Sequence, residues 1–234
     1  MATKSLDSRR PRRAPSAQAS GRTDRGLRVG LADVQLIRYA LVTVAGLKAA
    51  DVALRGGDVL TGGWAVAALL MVRWPAVGAL AVATLGFGSN LVDVPSNHQT
   101  LIGWVGLIFA VGGDDRCALL RLLAGSVYGF AVANKVAGGT FITGGSFAHG
   151  VAWPAVPIEW LAVGGLVAQV WLVWGIWRRH WTALPVAATF HVGVVALMST
   201  DPAQLVRLVV FNGLMLFLVL VTTQPGSGRR FEGR

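Results

Sequence analysis

The sequence has few charged residues and only one cysteine. Asp, Glu, Lys and Arg together make up 14% of the 234 residues, whereas hydrophobic residues make up 54%. Soluble domains usually contain about 25% charged residues, so this composition excludes an ordinary soluble protein. The single cysteine, Cys117, excludes an intrachain disulfide framework and argues against a cysteine-based metal site.

Several motifs of soluble enzymes are also missing. The sequence has no His-x-x-x-His or Cys-x-x-Cys spacing, so it predicts no metal site. It has no phosphate-binding glycine loop, because Gly138-Gly139 follows Lys135 and does not precede a lysine. A nucleophile elbow is absent as well. The sequence shows no clear internal repeat, which a small transporter built from inverted repeats would have.

Long apolar runs dominate what remains. Runs of about 17 to 22 residues recur between residues 34 and 223, and this is the length that crosses a bilayer. They do not alternate as the strands of an outer-membrane barrel do. We therefore predict an all-α integral membrane protein, a polytopic bundle of about eight transmembrane helices. The predicted spans are roughly 33–54, 58–74, 76–92, 99–113, 117–136, 158–177, 182–199 and 203–223.

The two ends of the chain are polar. Residues 1–28 combine many arginines with Pro, Ser, Ala and Gly, a composition that predicts a disordered basic cytoplasmic tail. Residues 29–224 are predicted to form a single transmembrane domain, and residues 225–234 a short cytoplasmic tail. Much of the net charge of +10 lies in the first tail. Beside a membrane helix, such charge predicts contact with anionic membrane lipids and not with nucleic acid.

The positions of the basic residues predict how the helices are oriented. A cytoplasmic N-terminal tail places most other basic positions on the same side: Arg73, Arg116, Arg121, Arg178, Arg179, Arg229, Arg230 and Arg234. The opposite side receives Asp58, Asp93, Asp201 and the connection 137–157, together with Arg55. This distribution satisfies the positive-inside rule with an even number of spans. We therefore predict a multi-pass protein of the inner (plasma) membrane with both termini in the cytoplasm.

Lys135 is the most unusual polar residue in these spans. It lies at the end of an apolar helix that carries small residues on one side, and a glycine-rich segment follows it. A lysine at the centre of a bilayer costs about 2.5–3.5 kcal/mol on insertion scales, so its position requires an explanation. Either it has a chemical function, or its stem reaches the headgroups so that the amine is solvated.

Two histidines lie at positions where a structural role and a chemical role are both open. His98 follows Ser96-Asn97 at the start of the fourth span, where Ser96 or Asn97 would cap the helix and the imidazole would have no further role. His191 lies near the middle of the seventh span, so it must face the bundle interior or a wet cavity. An interhelical hydrogen bond, a proton-handling role or a ligand-binding role would each account for it.

Other charged residues within the spans have structural explanations. Lys48 and Asp51 lie three residues apart on the first span and predict a local ion pair. Arg38 lies early in the same span, from which it can reach the cytoplasmic headgroups. Arg207 lies near the outer end of the last span, where Asp201 or an anionic ligand would pair with it.

Three motifs, in this order, resemble the membrane domain shared by vitamin K-dependent gamma-carboxylase and bacterial proteins with the horizontally transferred transmembrane (HTTM) domain. The first is Asn97-His98, which opens a span. The second is the run from Val127-Tyr128 to Asn134-Lys135, followed by Phe141-Ile142-Thr143-Gly144, and the third is Phe190-His191. The similarity covers roughly residues 34–223. The lysine-to-glycine element also resembles that of DoxX-type membrane proteins.

This resemblance implies a membrane enzyme with a quinone-type cofactor, vitamin K hydroquinone or menaquinol. In the carboxylase a lysine deprotonates the reduced quinone, and O2 oxidises it. The strong base that results takes a proton from a glutamyl side chain, to which CO2 adds. By motif Lys135 would be the base and His98 would assist it at the extracytoplasmic side. The resemblance also implies four residues that contact the cofactor: Asn97, Tyr128, Asn134 and His191.

The chain departs from this family in the residues that flank Lys135, which are Asn134 and Val136-Ala137-Gly138, and in a lysine-to-glycine interval that is one residue longer than usual. We also expect no extramembrane domain that would hold a peptide substrate after the last span. We therefore expect redox-coupled modification, either carboxylation-type (lyase) or peptide-maturation (oxidoreductase) chemistry, with a peptide substrate or protein partner on the extracytoplasmic side. The alternative is a non-enzymatic accessory subunit of a redox or peptide-maturation complex.

Overall fold

A computed structural model describes residues 18–57, 59–92, 97–138, 157–198 and 202–223. Within these ranges the chain forms eight α-helices and one short 3-10 helix, Gly113–Asp115, and no strand. The helices are α1 (Gln18–Leu54), α2 (Val59–Arg73), α3 (Pro75–Val92), α4 (Asn97–Val111), α5 (Arg116–Gly138), α6 (Ile158–Arg178), α7 (Ala183–Met198) and α8 (Pro202–Thr223). The predicted all-α fold is confirmed for the part of the chain that the structure describes.

Each of the eight apolar segments predicted from the sequence overlaps one of these helices, and the bounds agree within about two residues except at the start of α1. The largest difference is at α1, which begins at Gln18, so residues 18–28 are helical where the composition predicted a disordered tail. Extending an existing helix by one residue requires no new nucleus, and α1 therefore continues beyond its apolar part. The remaining segments of the predicted tails, 1–17 and 225–234, lie outside the described residues.

Among the described residues, three helical segments are long and apolar enough to cross a membrane. They are Gly113–Gly138, Ile158–Arg178 and Leu205–Thr223. Large apolar side chains also lie on the outside of the bundle, among them Leu91, which is 89% exposed, and Trp181, which is 75% exposed. Extensive apolar surface of this kind is unfavourable in water. Both features agree with a helical membrane protein.

The helices pack in two groups that α8 joins. In the first group α1 packs against α2, α2 against α3, and α3 along α4; in the second, α5 packs against α6 and α7 against α8. Within the second group α8 also contacts α5, and its contact with α1 joins this group to the first. The core contains fully buried side chains from several helices, including Leu41, Trp64, Ile102 and Met215.

Arginines satisfy the free carbonyl groups at the ends of two helices. Arg38 of α1 donates through Nε to the carbonyl oxygen of Met71 at 3.0 Å, and it also bonds the carbonyl of Val72. Arg116 donates through Nε to the carbonyl of Phe109 at 2.8 Å. The last carbonyls of a helix lack intrahelical partners, and the helix dipole favours a cation there. These two arginines therefore stabilise the C-terminal ends of α2 and α4.

Gly86 allows α3 to approach α4 closely. A Cβ atom built on Gly86 would lie 2.6 Å from the backbone nitrogen of Gly103 and 2.8 Å from its Cα. Gly88 is on the same helix, but no atom lies within 4 Å of its Cβ position. The two glycines therefore form a matched pair, of which only Gly86 lies in a tight contact.

We expect Gly86→Ala to lower the free energy of unfolding by about 1–3 kcal/mol, because the added methyl group forces the backbone of α4 to shift. Gly88→Ala should leave the stability unchanged or raise it slightly, since Ala favours helix over Gly. Thermal unfolding of the purified protein in detergent measures both effects. Equal melting temperatures for the two variants would show that the α3–α4 contact is looser than described.

Candidate functional site

A cavity of about 1270 Å³, here called the large cavity, is lined by residues of α4, α5, α6, α7 and α8. Most of its wall is apolar, and aromatic side chains contribute much of it: Trp104, Phe130, Trp160, Phe190 and Phe211. Binding sites for small molecules are typically apolar clefts with a few placed polar groups. The size and lining of the large cavity suit a lipophilic molecule.

Three almost fully buried polar residues form a hydrogen-bonded chain along the wall of the large cavity. The Tyr128 hydroxyl is hydrogen-bonded to Nε2 of His191, and Nδ1 of His191 lies 2.6 Å from Oδ1 of Asn212. The three residues come from α5, α7 and α8 respectively. This chain therefore joins three helices and satisfies an imidazole that lies within an apolar span.

Asn212 determines the direction of the hydrogen bonds in this chain. Its Nδ2 donates to the carbonyl oxygen of Leu208 at 2.7 Å, so its Oδ1 faces His191 as an acceptor. Nδ1 of His191 must therefore carry a proton. In a neutral imidazole the other nitrogen is then an acceptor, and the Tyr128 hydroxyl donates to it.

Lys135 lies on the same cavity, seven residues after Tyr128 on α5. A rise of about 1.5 Å per residue separates their Cα atoms by about 10 Å along the helix axis, and two turns of helix bring them to the same face. Nζ of Lys135 donates to Oε1 of the buried Gln169, on α6, at 2.5 Å. Tyr128 and Lys135 thus mark two polar positions on the wall of the large cavity.

His98 lies in a different environment. It is not among the described residues that line the large cavity. Its Nε2 is 3.4 Å from Nζ of Lys48, and Lys48 also bonds Asp51 at 2.7 Å. Lys48 and Asp51 are both almost completely buried, and the predicted ion pair between them is confirmed.

Asp51 is the centre of a cluster of cations. Besides Lys48, it bonds Nη2 of Arg55 at 2.9 Å, and Nε of Arg207 lies 3.8 Å from its Oδ1. A buried carboxylate is costly unless cations and hydrogen bonds compensate for its lost hydration. Asp51 therefore neutralises Lys48 in the interior and links α1 to α8 through Arg207. Asp201, which was one of the two partners expected for Arg207, lies outside the described residues.

Comparisons with protein-family models, curated proteins and solved structures found no match to this chain. The likeness to the gamma-carboxylase membrane domain therefore depends on the three sequence motifs alone. Part of the second motif, Phe141–Gly144, lies outside the described residues. The geometry of the large cavity is the independent basis for a functional proposal.

The structure brings five of the six predicted site residues to the large cavity: Asn97, Tyr128, Asn134, Lys135 and His191. His98, the sixth, lies beside Lys48 instead. Sequence reasoning missed Gln169 and Asn212, which position Lys135 and His191. Both are polar residues inside apolar spans, and that exception to the surrounding pattern was a signal that could have identified them.

Proposed function

We propose that this chain is a multi-pass membrane enzyme that binds a quinone-type lipophilic cofactor in the large cavity and uses Lys135 as a base. One observation carries this proposal: an apolar cavity has an amine and a tyrosine–histidine–asparagine chain on its wall. The apolar surface suits a ring and a hydrocarbon tail, and the two polar positions offer hydrogen bonds to ring oxygens.

The residues present fit such a molecule. Trp104, Phe130 and Phe190 provide flat apolar surfaces, while Tyr128 and Lys135 provide polar groups on one helix. A bound reduced quinone would supply reducing equivalents for chemistry with O2, as the resemblance to gamma-carboxylase and HTTM proteins implies. The step that follows would be the addition of CO2 to a substrate or another modification of it, and the peptide substrate or protein partner would decide which.

Lys135 would accept a proton from the ligand. Gln169 accepts one N–H of Lys135 and so holds the nitrogen at the cavity wall. In its uncharged form the amine keeps a lone pair that can take up the proton. A base held in hydrogen-bonding reach of its substrate typically contributes about 10²–10⁴-fold to a rate.

Two asparagines and His98 would have lesser roles. Asn97 and Asn134 line the large cavity near the ends of α4 and α5, where their amide groups can contact a polar part of the ligand. His98 is hydrogen-bonded to Lys48. We therefore assign it no direct contact with the cofactor and regard it as a residue that positions the start of α4.

We also propose that all eight helices cross the inner membrane, with both termini in the cytoplasm and Lys135 near the extracytoplasmic face. The arginine-bound ends of α2 and α4 support this arrangement. They coincide with Arg73 and Arg116, which the positive-inside rule places in the cytoplasm. A reporter of sidedness fused to each terminus checks the orientation.

Mass spectrometry of the lipids that purify with the protein tests the proposed ligand. We expect a quinone to purify with the protein in about equimolar amount. The Gly164→Leu variant should purify without it, because Gly164 lines the cavity and an added side chain would project into open space. The control is Gly46→Leu, which has equally open space but lies outside the cavity lining. If no quinone purifies and none is taken up, the proposal is wrong, and a stoichiometric protein partner would then favour the accessory subunit.

A further inference from the structure

The direction of the hydrogen bonds in the Tyr128–His191–Asn212 chain determines what Tyr128 can offer a ligand. Because the Tyr128 hydroxyl donates its single hydrogen to His191, its oxygen can only accept hydrogen bonds from anything in the large cavity. Within the described residues, the hydroxyl has no hydrogen-bond partner other than His191. An acceptor is therefore available on the cavity wall.

We propose that the hydrogen bonds of Tyr128, His191 and Asn212 make the large cavity selective for a ligand hydroxyl over a ligand carbonyl. The cavity would then prefer the reduced form of a quinone-type cofactor over the oxidised form. A hydroquinone can donate a hydrogen bond from its O–H to the Tyr128 oxygen while the hydrogen bonds among Tyr128, His191 and Asn212 are all kept. An oxidised quinone has only acceptors at its ring oxygens. It would gain a bond from Tyr128 only if the hydroxyl turned away and left Nε2 of the buried His191 without a donor.

This inference depends on the proposed function, because it concerns the same cavity and the same class of ligand. It adds a role for two residues that do not need to touch the ligand. Nε2 of His191 accepts the hydrogen bond of the Tyr128 hydroxyl, and Asn212 keeps His191 in the tautomer that can accept it. Asn212 is thus a positioning residue, and its effect should appear in the ratio of the affinities for the reduced and the oxidised quinone.

The test compares the binding of a short-chain naphthoquinone and of its hydroquinone to the purified protein under anaerobic conditions. Quenching of tryptophan fluorescence can report binding, since Trp104 and Trp160 line the cavity. We expect the reduced form to bind about tenfold more tightly, the effect of about one hydrogen bond. For a two-electron couple this preference corresponds to a midpoint potential about 30 mV higher in the bound state than in solution.

Two variants separate the effect of the Tyr128 hydroxyl from the effect of the residues that orient it. Tyr128→Phe should weaken hydroquinone binding about tenfold and leave quinone binding nearly unchanged, so that the preference disappears. Asn212→Leu leaves the tyrosine in place but frees His191 to adopt the other tautomer, which should reduce or reverse the preference. Tyr39→Phe is the matched control, because Tyr39 is the only other tyrosine in the sequence and is exposed outside the cavity.

The outcomes distinguish this inference from the proposed function. If neither form binds to the unaltered protein, the quinone proposal fails and this inference fails with it. If both forms bind equally well, the cavity holds a quinone but the inference about its redox state is overturned. A preference for the reduced form that survives in both Tyr128→Phe and Asn212→Leu would also overturn it.

Discussion

Replacing Lys135 by Met is expected to slow the oxidation of a reduced quinone by about 10²–10⁴-fold. Met keeps most of the length of the side chain but has no amine to accept a proton. The protein should stay folded, because Gln169, which accepts a hydrogen bond from Lys135, is a neutral amide and is not left as an uncompensated charge when the amine is removed. Loss of quinol absorbance in proteoliposomes, followed with oxygen present, measures the rate.

A neighbouring residue provides the control for this experiment. Val136 is exposed and is not among the residues that line the large cavity, so Val136→Ala should retain the activity of the unaltered protein. Bound quinone should still be found in Lys135→Met, since apolar surface supplies most of the binding. Full turnover by Lys135→Met would exclude Lys135 as the base and leave the cavity as a binding site only.

Replacing Asp51 by Ala should lower the free energy of unfolding more than any other substitution proposed for this protein. The carboxylate is fully buried and bonds the buried ammonium of Lys48 at 2.7 Å. Without it, Lys48 is left in the interior with no described carboxylate partner, and breaking a buried pair in this way costs about 3–5 kcal/mol. Thermal unfolding in detergent should show a correspondingly lower midpoint for Asp51→Ala.

Two further variants test whether the buried charge is the cause. Arg55→Ala removes a partner of Asp51 that is partly exposed, and exposed ion pairs contribute about 1 kcal/mol or less. The double variant Lys48→Met/Asp51→Leu removes both buried charges and should recover most of the stability that Asp51→Ala loses. If the double variant is as unstable as Asp51→Ala, the loss comes from packing and not from the unpaired ammonium.

The sequence alone determined the helices and the polar positions on each of them. Eight apolar runs predict eight helices, because an apolar backbone segment in a membrane must satisfy its hydrogen bonds internally. The spacing of seven residues between Tyr128 and Lys135 places both on one face of α5, since helical periodicity depends only on neighbours along the chain. The Lys48–Asp51 pair, three residues apart, could be predicted for the same reason.

Only the tertiary structure decided which helix faces meet. Tyr128 and His191 are 63 residues apart, and His98 and Lys48 are 50 residues apart. The helices are apolar around much of their circumference, so hydrophobic periodicity does not indicate which face is buried against which partner. His98 and Lys135 were therefore expected at one site, whereas packing placed His98 beside Lys48 and brought Gln169 to Lys135. Hydrogen bonding and hydrophobicity along the chain are local properties, but the contact between two helices depends on the shapes of both.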